Sequence, residues 1–114
     1  MRAGLFALAT VSLAACTGGA QMANVPARVG AQFVPDERGL AIEGTAQRID
    51  FGRSPKGVVP VLERELGRGQ AIPLTGCPDG VAQQVDWDGL ILTFTNERFV
   101  GWRTASARAG QACA

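Results

Sequence analysis

The stretch VAQQVDWDGLILTFTNERFVGWRT, residues 81–104, decides the fold. Val81, Gln83, Val85 and Trp87 alternate with Ala82, Gln84 and Asp86, and a period of two is the signature of a β-strand. Asp88-Gly89 is a two-residue hairpin signal, because a type I′ turn needs positive φ at both central positions. Leu90 to Thr95 is rich in Leu, Ile, Thr and Phe and reads as the returning strand. Asn96-Glu97-Arg98 turns the chain again, and Phe99 to Thr104 forms a further strand. Strands joined by tight turns make an antiparallel meander. Leu90, Leu92 and Phe94 share one face, which is expected to pack on a helix.

That helix is read upstream. Ser54-Pro55 matches a helix entry, with serine as N-cap and proline at the first helical position. Val58, Val59, Leu62 and Leu66 then recur on one helical face, and Gly67 stands where a C-terminal cap belongs. Pro60 lacks a backbone donor, so the regular helix is expected to begin at Lys56 or Val59 and to end at Leu66. Earlier still, Leu40-Ala41-Ile42 and Ile49-Asp50-Phe51 read as one or two strands that follow the turn-like Asp36-Glu37-Arg38-Gly39. Cys77-Pro78-Asp79-Gly80 reads as a β-turn with proline second. The expected architecture is α+β, one short helix packed on an antiparallel β-sheet of about four or five strands that ends in the meander. Residues 33–114 form this single small domain, and residues 17–32, small and polar, read as a tether.

The chain has 114 residues, enough for one domain, and 46% of them are hydrophobic, which fits a folded chain and not a disordered one. A net charge of +1 argues against nucleic acid as a partner, since nucleic acid selects basic surfaces. Histidine is absent, which removes Ser-His and Cys-His catalysis and histidine metal sites. Ser54 is accounted for as an N-cap, and neighbouring Lys56 does not make it a Ser-Lys dyad. Asp86 and Asp88 flank Trp87, but turn and strand roles explain them better than paired acid chemistry does. The chain shows no phosphate-binding glycine loop and no calcium loop, so neither a cofactor nor a metal is expected. The catalytic set is therefore empty, and the protein is read as a non-enzyme. Trp87, Arg98, Phe99, Trp102 and Arg103 are the candidate binding surface, because Trp and Arg are over-represented at binding hot spots. The competing role for both tryptophans is to close a small core.

Residues 1–16, MRAGLFALATVSLAAC, combine one positive charge, an apolar run and small residues, which is the layout of a secretion signal. The run is shorter than the roughly 20 residues a transmembrane helix needs. Leu13-Ala14-Ala15-Cys16 resembles the lipobox of bacterial lipoproteins. The resemblance implies cleavage before Cys16, acylation of its sulfur, and a membrane anchor in the cell envelope. Thr17 in place of aspartate after that cysteine, by resemblance to the enterobacterial lipoprotein sorting rule, implies the periplasmic face of the outer membrane. Residues 1–15 are then the lipoprotein signal peptide; the alternative is an ordinary secretion signal with Cys16 there by chance. With Cys16 acylated, Cys77 and Cys113 remain as an even pair in an oxidising compartment, and a disulfide between them is expected; two free thiols or an intermolecular bridge are the alternatives.

Trp87-x-Gly89-Leu90-x-Leu92-x-Phe94, followed by Phe99-x-Gly101-Trp102, looks like small exported bacterial domains with no assigned chemistry. One helix on an antiparallel sheet also resembles envelope domains such as the outer-membrane assembly lipoproteins of the SmpA/OmlA type and beta-lactamase-inhibitor-like modules, a likeness of architecture alone. The expected function is a lipid-anchored, monomeric envelope domain that binds another envelope protein. The alternative is a small-ligand or glycan-binding module using Trp87 and Trp102.

Overall fold

A computed structural model describes residues 30–114. The expected signal peptide, the acylated Cys16 and most of the tether lie outside the described residues. Strands β1 (Phe33–Asp36), β2 (Gly39–Ile42) and β3 (Arg48–Asp50) are followed by helix α1 (Pro55–Leu66). Then come β4 (Gln70–Ile72), β5 (Val81–Trp87), β6 (Leu90–Thr95), β7 (Phe99–Arg103) and β8 (Arg108–Gly110). The strands form two antiparallel sheets, β1-β2-β3 and β4-β5-β6-β7-β8. The α+β reading holds in its coarse form. The single sheet does not: β1 to β3 form a separate meander that shares no strand ladder with the later strands.

The residues expected to build the meander do so. Trp87 pairs with Leu90, Val85 with Leu92, and Leu92 with Trp102. The turn between β5 and β6 has φ of 54° at Asp88 and 99° at Gly89, both positive as a type I′ turn requires. Gly89 N donates to Asp86 Oδ1 at 2.7 Å, which holds that turn. The turn before β5 lies one residue later than expected, because Val81 N donates to Pro78 O and Gly80 becomes its third residue.

Ser54 caps α1 as expected, its Oγ accepting from Gly57 N at 3.2 Å. The helix begins at Pro55 and carries Pro60 inside it. Val58 and Leu62, one turn apart, are fully buried. Glu65 comes next on that face and is buried as well, while Val59 and Leu66 flank the line of contact. Glu65 fastens the incoming chain: its backbone O accepts from Gly30 N at 3.1 Å and its Oε1 from Ala31 N at 3.0 Å. Residues 30–32, read as tether, are thereby joined to the domain.

One core serves the described residues. Leu40 and Ile49 from the small sheet, Val58 and Leu62 from α1, and Val85, Trp87, Leu92, Phe94, Phe99 and Trp102 from the large sheet form one buried cluster. Burying each such side chain is worth about 1.5–3 kcal/mol against leaving it in water.

The other face of the large sheet is closed differently. Gln84, Thr93 and Gly101 are paired in a row across β5, β6 and β7, so they share that face. A Cβ on Gly101 would lie 2.5 Å from the Gln111 backbone, so the chain after β8 crosses directly over this row. It ends against the β4–β5 loop, where Ala114 N donates to Gly76 O and Cys113 is joined to Cys77. The expected disulfide is present, with the two Cα atoms 4.1 Å apart and Cys113 fully buried.

Candidate interaction surface

The five residues of the candidate binding surface are not brought together, and the two tryptophans take the other role read for them, closing the core. Trp87, Phe99 and Trp102 are all in the core, the two tryptophans 5% exposed and Phe99 0%. The reason is geometric: all three stand on the sheet face that meets α1 and the small sheet. Trp87 Nε1 donates to Gly67 O at 2.9 Å, tying the C-terminal cap of α1 to β5. Trp102 Nε1 donates to Asp36 O at 2.8 Å, tying β7 to the end of β1. Phe99 stacks edge-on to Phe51 at 5.0 Å between ring centroids and lies 5.6 Å from Phe94. The aromatic residues are joints between the layers. Arg98 is exposed in the β6–β7 turn, and Arg103 is half-buried at the far end of β7.

The other groups of chemical interest have structural employment. Ser54 is the helix cap and Asp86 braces a turn. Among the described residues no cluster of three or more histidine, cysteine or acidic side chains could hold a metal ion.

What does form is a groove of about 420 Å³ between the small sheet and α1, lined by Ile42, Gln47, Arg48, Ile49, Arg53, Val61 and Arg64. Arg48 on β3 reaches across β2 to Asp36, with Nη1 and Nη2 at 2.9 and 2.8 Å from its two carboxylate oxygens, and its Nε lies 2.7 Å from Asp50 Oδ1. This fork-on-fork pairing holds Asp36 ionised: the Arg48 hydrogen bonds, helped by the Arg38 backbone N–H, lower its pKa from 3.8 to about 2. The same contacts push Arg48 up, first through Asp36 and then Asp50. Arg48 is thus neutralised locally and its alkyl stem forms groove wall. Arg53, in the loop before α1, is exposed and has no ion-pair partner among the described residues. Arg64 is 60% exposed and meets Glu65 at 3.0 Å. Ile42 and Val61 supply the partly buried apolar floor.

Sequence periodicity did not reveal this groove, because its residues come from three elements that only the tertiary fold brings together. The one local signal was Val61 and Arg64, three apart on α1 and so on the same side of it. No protein-family profile matches the chain, and neither a curated protein nor a solved structure is significantly similar to it.

Proposed function

We propose that this chain is a lipid-anchored domain of the bacterial cell envelope that binds another envelope protein and is not an enzyme. The observation that carries the binding role is the groove beside α1, which Arg53 and the Glu65-paired Arg64 line together with Ile42 and Val61. A short floor of apolar side chains rimmed by guanidinium groups suits an acidic segment of a partner, since arginine pairs with carboxylates and apolar contact supplies affinity. The envelope location rests on the lipobox-like Leu13-Ala14-Ala15-Cys16, and the Cys77–Cys113 disulfide fits an oxidising compartment. Two or three acyl chains on Cys16 would hold so small a domain durably, each buried CH₂ contributing about 0.8 kcal/mol. The reading places it as a monomer on the periplasmic face of the outer membrane. Glycan binding through Trp87 and Trp102 is set aside, because both indoles are buried and already hydrogen-bonded.

A photo-crosslinking amino acid placed at Arg53 and at Arg64, with Asp79 as a control site on another surface, tests the binding role in living cells. A discrete adduct from the first two positions, absent from the third and lost in Arg53→Glu/Arg64→Glu, is expected. Adducts of equal yield from all three positions would sink the groove assignment. Anchoring has its own test: acyl labelling should be present on the native chain and absent from Cys16→Ser, and no labelling of the native chain would remove the membrane.

A further inference from the structure

A second pocket, of about 340 Å³, lies on the other side of the molecule, lined by Arg103, Thr104, Ser106, Arg108, Cys113 and their alanine neighbours. It sits between the β7–β8 hairpin and the chain end held by the disulfide. We propose that this pocket binds a phosphate-like oxyanion through Arg103 and Arg108.

The donors there are in surplus. Arg103 Nε is buried and has no acceptor, and neither Arg103 nor Arg108 forms an ion pair with a described residue. An anion in the pocket cannot touch that nitrogen, but its charge beside the half-buried guanidinium offsets the cost of holding the cation away from water. Arg108 is held in place by its Nη2, which donates to Cys113 O at 2.6 Å, so the rest of its fork is preset at the pocket. The lining contains two arginines and no aspartate or glutamate side chain, and its anionic group is the main-chain carboxylate of Ala114. The hairpin loop uses its own amides internally: Thr104 Oγ1 accepts from Ser106 N and Ala107 N, and Thr104 N donates to Ala107 O. The guanidinium groups, the Ser106 hydroxyl and the Ala105 amide are therefore the donors left for a ligand. Planar forks match the tetrahedral oxygens of phosphate, which selects this anion over a halide.

The test is a chemical-shift titration of the full disulfide-bonded chain with inorganic phosphate at low ionic strength. In parallel, the chain is exposed to vesicles with and without phosphatidylglycerol. Saturable shifts centred on residues 103–108 are expected. Arg103→Gln should weaken them at least tenfold, and Arg98→Gln, on the neighbouring turn, should leave them unchanged. Arg103 is the decisive position, because its side chain makes no hydrogen bond to a described residue that folding would miss. A response to the anionic vesicles alone keeps the pocket and assigns the phosphate to a lipid headgroup. Non-saturating shifts with both probes, or equal weakening by Arg98→Gln and Arg103→Gln, would overturn the proposal.

Discussion

Trp102 holds the two sheets together by a single polar contact within an apolar joint, since its Nε1 reaches Asp36 O at 2.8 Å. Trp102→Phe keeps an aromatic ring but orphans that carbonyl, and a loss of about 1–3 kcal/mol is expected in urea unfolding. The pair beside it makes a separate, pH-dependent contribution. Because the Asp36 pKa falls from 3.8 to about 2 on folding, its ion pair with Arg48 stabilises the native state fully above pH 4. That contribution drains away as pH drops from 4 towards 2, where the native carboxylate is finally protonated. Asp36→Asn should therefore have a lower urea midpoint than the parent at pH 6 and a flatter fall between pH 4 and 2; an unchanged acid limb would separate Asp36 from the effect. At this scale the sequence was legible in kind and not in place. Trp87, Phe99 and Trp102 were recognisable as the residues that matter, but their burial depends on which sheet face meets α1, which no residue reports alone.

Elements announced themselves where their signal is local. The β5–β6 hairpin carried its alternation and its Asp88-Gly89 turn within a few residues, and α1 carried its own caps at Ser54 and Gly67. β4 and β8, three residues each, did not, because Gln70–Ile72 and Arg108–Gly110 are edge strands whose conformation comes from the neighbour they pair with. The division into two sheets was hidden for a related reason: alternation marks a strand but does not name its partner. The groove at Arg48, Arg53 and Arg64 depends on that same division, which is why it stayed out of view. Two measurements probe α1 directly. Ser54→Ala removes the acceptor of Gly57 N and should cost about 0.5–2 kcal/mol. Pro60 occupies a helical position that lacks its N–H, so Pro60→Ala should stabilise the fold by up to about 3 kcal/mol. A loss of stability would mean that the Pro60 ring packs usefully where it stands.

At the scale of the molecule, the two faces of the large sheet are closed by different means. One face is covered by α1 and the small sheet through a broad apolar core. The other is covered by a few residues after β8, and beneath them Gln84 Oε1 and Thr93 Oγ1 are buried without partners among the described residues. Apolar burial is therefore weak on that side, and the covalent link must supply what packing does not. Cys77 and Cys113 are 36 residues apart, and the chain-entropy account gives about 3–4 kcal/mol for closing such a loop. Cys77→Ser/Cys113→Ser should lose about that much stability. The loss should also be uneven: hydrogen exchange should speed up first at Gln111 and Ala114, whose amides bond to Val100 O and Gly76 O, while the Leu92–Trp102 pairing stays protected. Uniform loss of protection across both faces would show instead that the strap and the apolar core unfold as one unit. The oxyanion pocket lies against Cys113, so the same variant should also weaken phosphate binding, because releasing the strap removes the carbonyl that positions Arg108.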